Sequence, residues 1–268
     1  MKNIHPSFTL LSNRPGRSAL HRMAGTCGLF AALFFVPAFS LFAEAEAEVG
    51  REFKQDPQLT LPFKDNFDGA GAVEKFPNGW NGIYLDDDHN FLVTDDVPIT
   101  EKPFTAPHAL KLFSRGPTAN GFPPILYFIV PKSNSLWLKF DFYFDPKDNY
   151  FRAGLGTSGV LLFGIAAADS RFFVISRGQA LETSTAIPGE TLTAIPPEYF
   201  SPREWNSILI GRDENKGRIK INGHDIEIVM DEVVSMDYVN FMIGTSTDGV
   251  TSNLLIDNVE SDHHPMEN

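Results

Sequence analysis

The sequence is almost free of cysteine and shows no helical periodicity. Cys27 is the single cysteine among 268 residues, and it precedes an apolar run near the N-terminus. The chain beyond that run therefore has no disulfide and no thiol chemistry. No His/Cys set has the spacing of a zinc site. Apolar residues recur with a period of two rather than 3.6, which indicates an all-β protein.

Basic residues are also scarce. The chain has 22 Lys and Arg against 34 Asp and Glu, a formal net charge of -12. Every acidic residue follows Ala43, so the later part carries 18 basic against 34 acidic side chains, a net charge of -16. Such a surface repels nucleic acid and anionic lipid. We therefore expect no nucleic-acid partner.

Residues 1–43 have the features of an export signal. Three arginines between residues 14 and 22 precede an apolar run at 28–43, which Pro37 interrupts. The run is short for a membrane-spanning helix, and alternating alanines from residue 43 onward offer cleavage sites. We predict a cleaved signal peptide, a secreted, periplasmic or cell-surface location, and no membrane span in the mature chain. The alternative is an uncleaved N-terminal anchor.

The rest of the chain is interpreted as one domain with short flanks. Residues 44–58 are polar and are predicted to be a disordered linker, residues 59–262 carry the strand patterns, and residues 263–268 form a tail. This length is compatible with one large all-β domain. The 24 phenylalanines are ample for a sizeable core.

The clearest strand signal is the segment 205–229, which predicts three consecutive strands. Asn222-Gly223 favours a type I′ turn, because both central residues of that turn need φ > 0. A two-residue loop there places Lys220 opposite Asp225 and Arg218 opposite Glu227, so that opposite charges face each other. Four isoleucines share the other face: Ile219, Ile221, Ile226 and Ile228. The segment therefore predicts an antiparallel sheet with one buried face.

Other strands follow the same alternation. Ser135–Phe144 places Leu and Phe on one face and Trp, Lys, Asp and Tyr on the other. Gly159–Ala166 is apolar on both faces, so we expect a central strand there, paired in a hairpin with Arg171–Ser176. Residues 178–202 are interpreted as a long connection. About a dozen strands with frequent turns predict an all-β, two-sheet antiparallel sandwich or jelly roll.

Three phrases resemble the concanavalin A-like lectin/glucanase (laminin-G-like) jelly-roll superfamily. They are DNFDG followed by PNGW (65–80), SPREWNSILIG followed by GRIKING (201–223), and FMIGTSTDG followed by LLIDNVES (241–261). The resemblance covers residues 59–262 and implies a last strand that pairs beside the first. The superfamily includes lectins, glycoside hydrolases and polysaccharide lyases, so it does not settle the function.

Members of this superfamily often bind glycans on the concave face of one curved sheet, and the outward face of Ser135–Phe144 is the best candidate for part of that surface. Trp137 and Tyr143 are predicted to stack on sugar rings, while Lys139 and Asp141 hydrogen-bond to them. Trp80 is a further candidate, since it follows Pro-Asn-Gly on a loop. The alternative is that the face is covered by a loop or is the ordinary solvated convex face, and that Trp80 folds back over the edge of the sandwich.

The catalytic residues cannot be assigned from the sequence. The E-x-D-x-E pattern of laminarinase-like members does not occur. Asp141 and Asp145 lie about 13 Å apart along a strand, too far for a retaining pair of short carboxylates. Residues 150–154 (YFRAG) are similar to an alginate-lyase phrase, but its partner motifs are missing. His89, Arg152 and Tyr143 remain possible members of a catalytic set.

The resemblance also implies a structural calcium ion where the first and last strands meet. Calcium requires oxygen ligands, which Asp65 or Asp68 together with Asp257 would provide. The acidic loop 86–90 is a second option, although three adjacent aspartates are typical of a solvated turn. The sequence as a whole predicts an exported carbohydrate-binding, lectin-like β-sandwich. The alternatives are a polysaccharide-degrading enzyme with a diverged site, or a structural or adhesion domain.

Overall fold

The computed structural model describes residues 58–69, 73–98, 107–115, 124–145, 151–157, 160–168, 171–177, 190–244 and 251–266. These residues form fifteen β-strands and one 3-10 helix, Pro197–Tyr199. The strands are β1 Phe63–Asp65, β2 Asn81–Ile83, β3 His89–Thr94, β4 Ala109–Arg115, β5 Ile125–Ser133, β6 Ser135–Phe144, β7 Phe151–Thr157, β8 Val160–Ala168, β9 Arg171–Arg177, β10 Glu190–Ile195, β11 Trp205–Asp213, β12 Lys216–Ile221, β13 His224–Val229, β14 Met236–Ile243 and β15 Thr251–Asp262.

The strands form two antiparallel sheets. Sheet 1 has the order β13-β12-β11-β6-β15-β4-β3, and β1 also pairs with β15. Sheet 2 has the order β10-β9-β8-β7-β14-β5-β2. Neither sheet closes on itself, and the predicted two-sheet jelly-roll sandwich is confirmed. No helix in the described part of the chain is long and apolar enough to cross a bilayer.

The core lies between the inner faces of the two sheets. On β6 the even-numbered residues from Leu136 to Phe144 are at most 2% exposed, as the alternation of that strand predicts. They pack against phenylalanines of sheet 2, for example Phe140 against Phe241 at a ring distance of 5.1 Å. On β6, alternation therefore determines which face lies in the core, whereas β7 is buried on both faces.

The β12–β13 hairpin has the predicted register. Lys220 is opposite Asp225 and Arg218 is opposite Glu227, and the turn residues Asn222 and Gly223 have φ of 49° and 92°. The ion pair is different from the predicted one. Arg218 contacts Asp225 on the diagonal at 2.8 Å, because its long side chain reaches the neighbour two residues along the partner strand.

The ends of the domain also pair as the resemblance implies. Phe63 is opposite Ser261 and Asp65 is opposite Val259. The predicted long connection 178–202 is partly wrong, since Glu190–Ile195 forms strand β10 and pairs with β9. Residues 178–189 lie outside the described residues, as do the predicted signal peptide 1–43 and residues 44–57 of the predicted linker.

Candidate functional site

Three of the predicted glycan-binding residues lie on the outer face of sheet 1. Lys139, Asp141 and Tyr143 alternate along β6 and are partly exposed. The carboxylate of Asp141 accepts a hydrogen bond of 2.9 Å from the amide of Asn258. The ring of Tyr143 lies 5.9 Å from that of Trp205. The three side chains form a polar, half-buried strip.

Trp137 belongs to the same strip but is only 6% exposed. Its ring lies flat over Gly211 of the neighbouring strand β11, where an added Cβ atom would lie 2.0 Å from a ring carbon. Its indole N–H donates to the Ser135 hydroxyl at 3.3 Å. Because Gly211 has no side chain, the indole of Trp137 packs directly against the sheet, and little of the ring faces solvent.

Trp80 lies in the core and is 5% exposed. Its ring packs against Phe128 at 4.8 Å, and its indole N–H donates to the second carboxylate oxygen of Asp65 at 2.8 Å. The first oxygen of Asp65 accepts the backbone N–H of Phe67 at 2.9 Å. Asp65 thus anchors Trp80 and the turn after β1, and both of its oxygens have donors.

Asp257 is the most unusual acidic residue of the described chain. It is fully buried, and neither of its carboxylate oxygens has a hydrogen-bond partner. Its pKa is raised to about 7, mainly by burial, with a smaller contribution in the same direction from the charges of Asp68, Asp141 and Asp65 and an opposing one from the nearby backbone N–H of Asn258. The structure therefore brings all three predicted calcium ligands into one negative region.

The carboxylates of this region offer a metal ion oxygen ligands. One oxygen of Asp68 is buried without a hydrogen bond and lies 3.4 Å from the imidazole of His108. Within the described ranges no three His, Cys, Asp or Glu side chains are placed to share one ion. In the second predicted option, Asp86 accepts from Asp88 and contacts His89 at 2.7 Å. That loop is a hydrogen-bonded turn.

An open pocket of about 220 Å³ lies on the same outer face, above β3, β4 and β15. Its floor is the outward side of β4, where Lys111, Phe113 and Arg115 alternate and all line the pocket. Phe113 is partly exposed and belongs to none of the hydrophobic clusters found in the described residues. The pocket therefore presents an aromatic ring between two cations.

Two asparagines flank that ring. Asn253 of β15 and Asn90 of β3 are the register partners of Phe113 on either side. The loop before β2 forms one wall, because the backbone N–H of Glu74 donates to the carbonyl of Val93 at 2.8 Å. Sequence reasoning did not single out these residues. Leu110 and Leu112 alternate with Lys111 and Phe113 along β4, so the buried leucines leave the other two side chains on the outer face, and this alternation can be read from the sequence.

The outer face of sheet 2 carries a second polar group. Arg152 of β7 and Arg177 of β9 are buried and both bind Glu190 of β10, Arg152 at 2.9 Å. The two arginines hold the pKa of the Glu190 carboxyl below its usual range, although burial acts to raise it. The carboxylate therefore links three strands of the sheet.

Asn240 lies on this same outer face. It is fully buried, and neither its amide nitrogen nor its amide oxygen has a hydrogen-bond partner. Its register partners are Tyr127 and Gly154. The three possible catalytic residues do not meet, since Arg152 is in sheet 2 whereas His89 and Tyr143 are in sheet 1.

Comparisons with known proteins give structural likenesses only. No family model and no curated protein matches the chain. The chain is similar to an endo-β-1,4-glucuronan lyase from the fungus Trichoderma reesei, with 15% identity, 75% of this chain and 95% of that chain covered, and a TM-score of 0.47. It is also similar to alginate lyase vAL-1 from Chlorella virus, with 10% identity, 66% and 93% covered, and a TM-score of 0.44.

A third similar structure is the CBM2 module of the evolved Dit of Lactobacillus casei BL23 phage J-1. Its identity is 12%, the coverage is 76% of this chain and 96% of that chain, and the TM-score is 0.46. All three TM-scores are below 0.5, so these likenesses carry no argument about what the chain binds or does.

Proposed function

We propose that this protein is an exported carbohydrate-binding protein that holds a glycan on the outer face of sheet 1. The observation that carries the proposal is the open pocket over β4, which is lined by Phe113 together with Lys111 and Arg115. Sugar rings present C–H groups that pack on an aromatic face, while fixed polar groups orient the hydroxyls. Phe113, Asn253 and Thr94 supply both kinds of contact around one pocket.

The size of the pocket agrees with this ligand class. Its volume of about 220 Å³ is below the roughly 300–1,000 Å³ of pockets for drug-sized ligands, and it suits one sugar ring of a longer chain. Strand β15 pairs with both β4 and β6. A chain leaving the pocket across β15 would therefore meet Asp141 and Tyr143, the residues predicted from the sequence.

The test is a panel of polysaccharides titrated against the protein from Glu44 onward, with a Phe113→Ala variant beside it. Truncation of a central aromatic contact typically costs more than about 1 kcal/mol, so we expect affinity to fall by about fivefold or more. Val229→Ala is the matched control, because Val229 is 74% exposed on β13. Equal binding by Phe113→Ala and the parent protein would place the glycan elsewhere.

A second candidate function is cleavage of uronate-containing polysaccharides at the outer face of sheet 2. The buried amide of Asn240, which lacks hydrogen bonds, is the observation that favours it. An unsatisfied buried polar group is costly, and a substrate carboxylate would accept a hydrogen bond from the amide nitrogen of Asn240, beside its register partner Tyr127. A lyase needs such a neutraliser and a base. Unsaturated products after incubation with uronans, absent for Asn240→Ala, are expected if this function is present.

We further propose that calcium binds where β1 meets β15. The supporting observation is that Asp257 and one oxygen of Asp68 are buried without hydrogen bonds. Calcium completes its coordination with backbone carbonyls and water, so two carboxylates are enough to begin a site. Asp65 is left out of this set because both its oxygens already accept hydrogen bonds.

A further inference from the structure

We propose that the β4 pocket selects a sugar bearing an oxyanion, a carboxylate or a sulfate, which Lys111 and Arg115 recognise. This inference rests on the proposed function, since it names the ligand class of the same pocket. It follows from the two cations, from their spacing along the strand, and from the charge of the rest of the molecule.

Among the residues that the structure describes, Lys111 has no anionic partner. No acidic side chain of the described residues lies within ion-pair distance of it. Its register neighbours on both sides are leucines, Leu92 of β3 and Leu255 of β15. The aliphatic stem of Lys111 packs between these leucines, and its ammonium group lines the open pocket. An anion that enters the pocket gives this group a partner.

Arg115 is available to the same ligand. Its one ion pair here is with Asp88 at 3.3 Å, and both side chains are more than 60% exposed. Exposed pairs of this kind contribute little, so a ligand oxyanion readily replaces Asp88. The planar guanidinium group also matches the geometry of a carboxylate or sulfate, with which it forms two parallel hydrogen bonds.

The spacing of these groups fits a glycan better than a free small anion. Lys111, Phe113 and Arg115 point outward at alternate positions of β4, so successive Cα atoms on this face are about 6.6 Å apart. One ring stacked on Phe113 lies between the cations, and its substituents reach toward both ends. A small free anion leaves the ring of Phe113 unused.

The negative charge of the rest of the molecule confines anion binding to this pocket. The formal net charge of the chain is -12, and Glu74 lies on the pocket wall. A polyanion is therefore repelled by most of the surface, and two cations within one pocket decide where it binds. Such binding weakens as salt rises, because both cations are partly exposed and become screened.

The test compares ligands that differ only in charge. Oligosaccharides of glucuronic acid, the same oligosaccharides after reduction of their carboxyl groups, and a sulfated form of the reduced oligosaccharides are titrated by calorimetry. Loss of a hydrogen bond to a charged group weakens binding by about 10- to 100-fold. We expect that loss for the reduced ligand and for Lys111→Met, and recovery for Lys111→Arg. The carboxylated and sulfated arms distinguish the two oxyanions.

Lys132→Met is the matched control. It removes the same charge from an exposed position on β5 of sheet 2, and we expect it to bind like the parent protein. Equal affinity of the acidic and reduced ligands, with Lys111→Met unchanged, overturns this inference and leaves the proposed carbohydrate binding intact. No binding of any oligosaccharide or polysaccharide overturns the proposed function itself. Thermal melts of each variant show that loss of binding is not loss of folding.

Discussion

At the scale of single residues, Asp257 is a buried carboxylate whose oxygens lack hydrogen-bond partners. Its carboxyl group is removed from water, and its charged form is opposed by three neighbouring aspartates. An ionised carboxylate in such a place is destabilising unless it gains a proton or a cation. The pKa of about 7 means that Asp257 binds a proton more readily than an ordinary aspartate. The proposed calcium ion is the alternative way to neutralise its charge.

Protonation of Asp257 predicts a pH-dependent stability in protein treated with chelator. The folded-state pKa of Asp257 lies above its ordinary value of 3.8, so the stability associated with its proton is fully present below pH 3.8. That stability is lost as the pH rises through about 7. We expect Asp257→Asn to melt at a higher temperature than the parent protein at pH 8 and at a similar temperature at pH 4.

Calcium changes the result at pH 8. If the ion binds, it raises the melting temperature of the parent protein and does not raise that of Asp257→Asn, because the variant has lost a negative ligand. Equal calcium response of the two proteins contradicts the proposed site. A melting temperature of Asp257→Asn below that of the parent at pH 8 in chelator contradicts the pKa argument.

At the scale of elements, the β12–β13 hairpin shows how far local chemistry reaches. Asn222-Gly223 predicted the turn and, through its two-residue length, every cross-strand pair of the hairpin. The diagonal contact of Arg218 with Asp225 was not predictable from register alone. A side chain chooses between the opposite and the diagonal neighbour by its length and the twist of the strands.

The hairpin gives a second prediction. Gly223 has φ of 92° with open space around the position of a Cβ atom, so alanine there is opposed by backbone strain and not by a clash. We expect Gly223→Ala to destabilise the fold by about 1 kcal/mol, measured by urea unfolding. Gly69→Ala is the control, because its surroundings are equally open and its φ is not in the left-handed region.

Alternation along β4 and β6 predicts the inner face of each strand well but does not predict how exposed the outward side chains are. It correctly placed the even-numbered residues of β6 in the core, and Leu110 and Leu112 of β4 are buried in the same way. It could not say which outward residues remain exposed. Trp137 is covered because it lies over Gly211 of a strand 74 positions later, whereas Phe113 stays open. Contacts between distant segments decide that difference.

At the scale of the whole molecule, Glu190 joins segments that are far apart in the chain. It binds Arg177, 13 residues away, and Arg152, 38 residues away. In this way a strand with mostly exposed side chains, β10, becomes part of sheet 2. The sequence predicted a connection at this place because no local pattern distinguishes β10 from a loop.

Glu190→Gln is therefore expected to destabilise the whole domain. Removing one partner from a buried ion pair typically costs about 3–5 kcal/mol, and we expect a loss near the lower end because the Glu190 side chain is 15% exposed. Its pKa is held below the ordinary value of 4.5, so its contribution is present above pH 4.5 and is lost as the pH falls through the folded-state pKa.

The measurement is the melting temperature of the variant and of Glu198→Gln, an exposed control on the 3-10 helix, between pH 3 and pH 7. The difference between Glu190→Gln and the parent should be largest at pH 7 and should shrink in acid. A constant difference across this range would mean that the carboxylate charge is not what holds β10 in place.

The amino-acid order is enough to predict the all-β class, the inward face of the alternating strands such as β6, the hairpin register and the pairing of the first strand with the last. All of these depend on alternation and turn chemistry within short segments, and on the resemblance for the end strands. Tertiary packing decided the positions of three side chains. It placed Phe113 between Lys111 and Arg115 in an open pocket, Trp80 in the core, and Asp257 among three aspartates. Each position depends on strands that are distant in sequence but lie side by side in the fold. The exposure of a side chain, the charges around it and the space beside it are set only when those strands pack together.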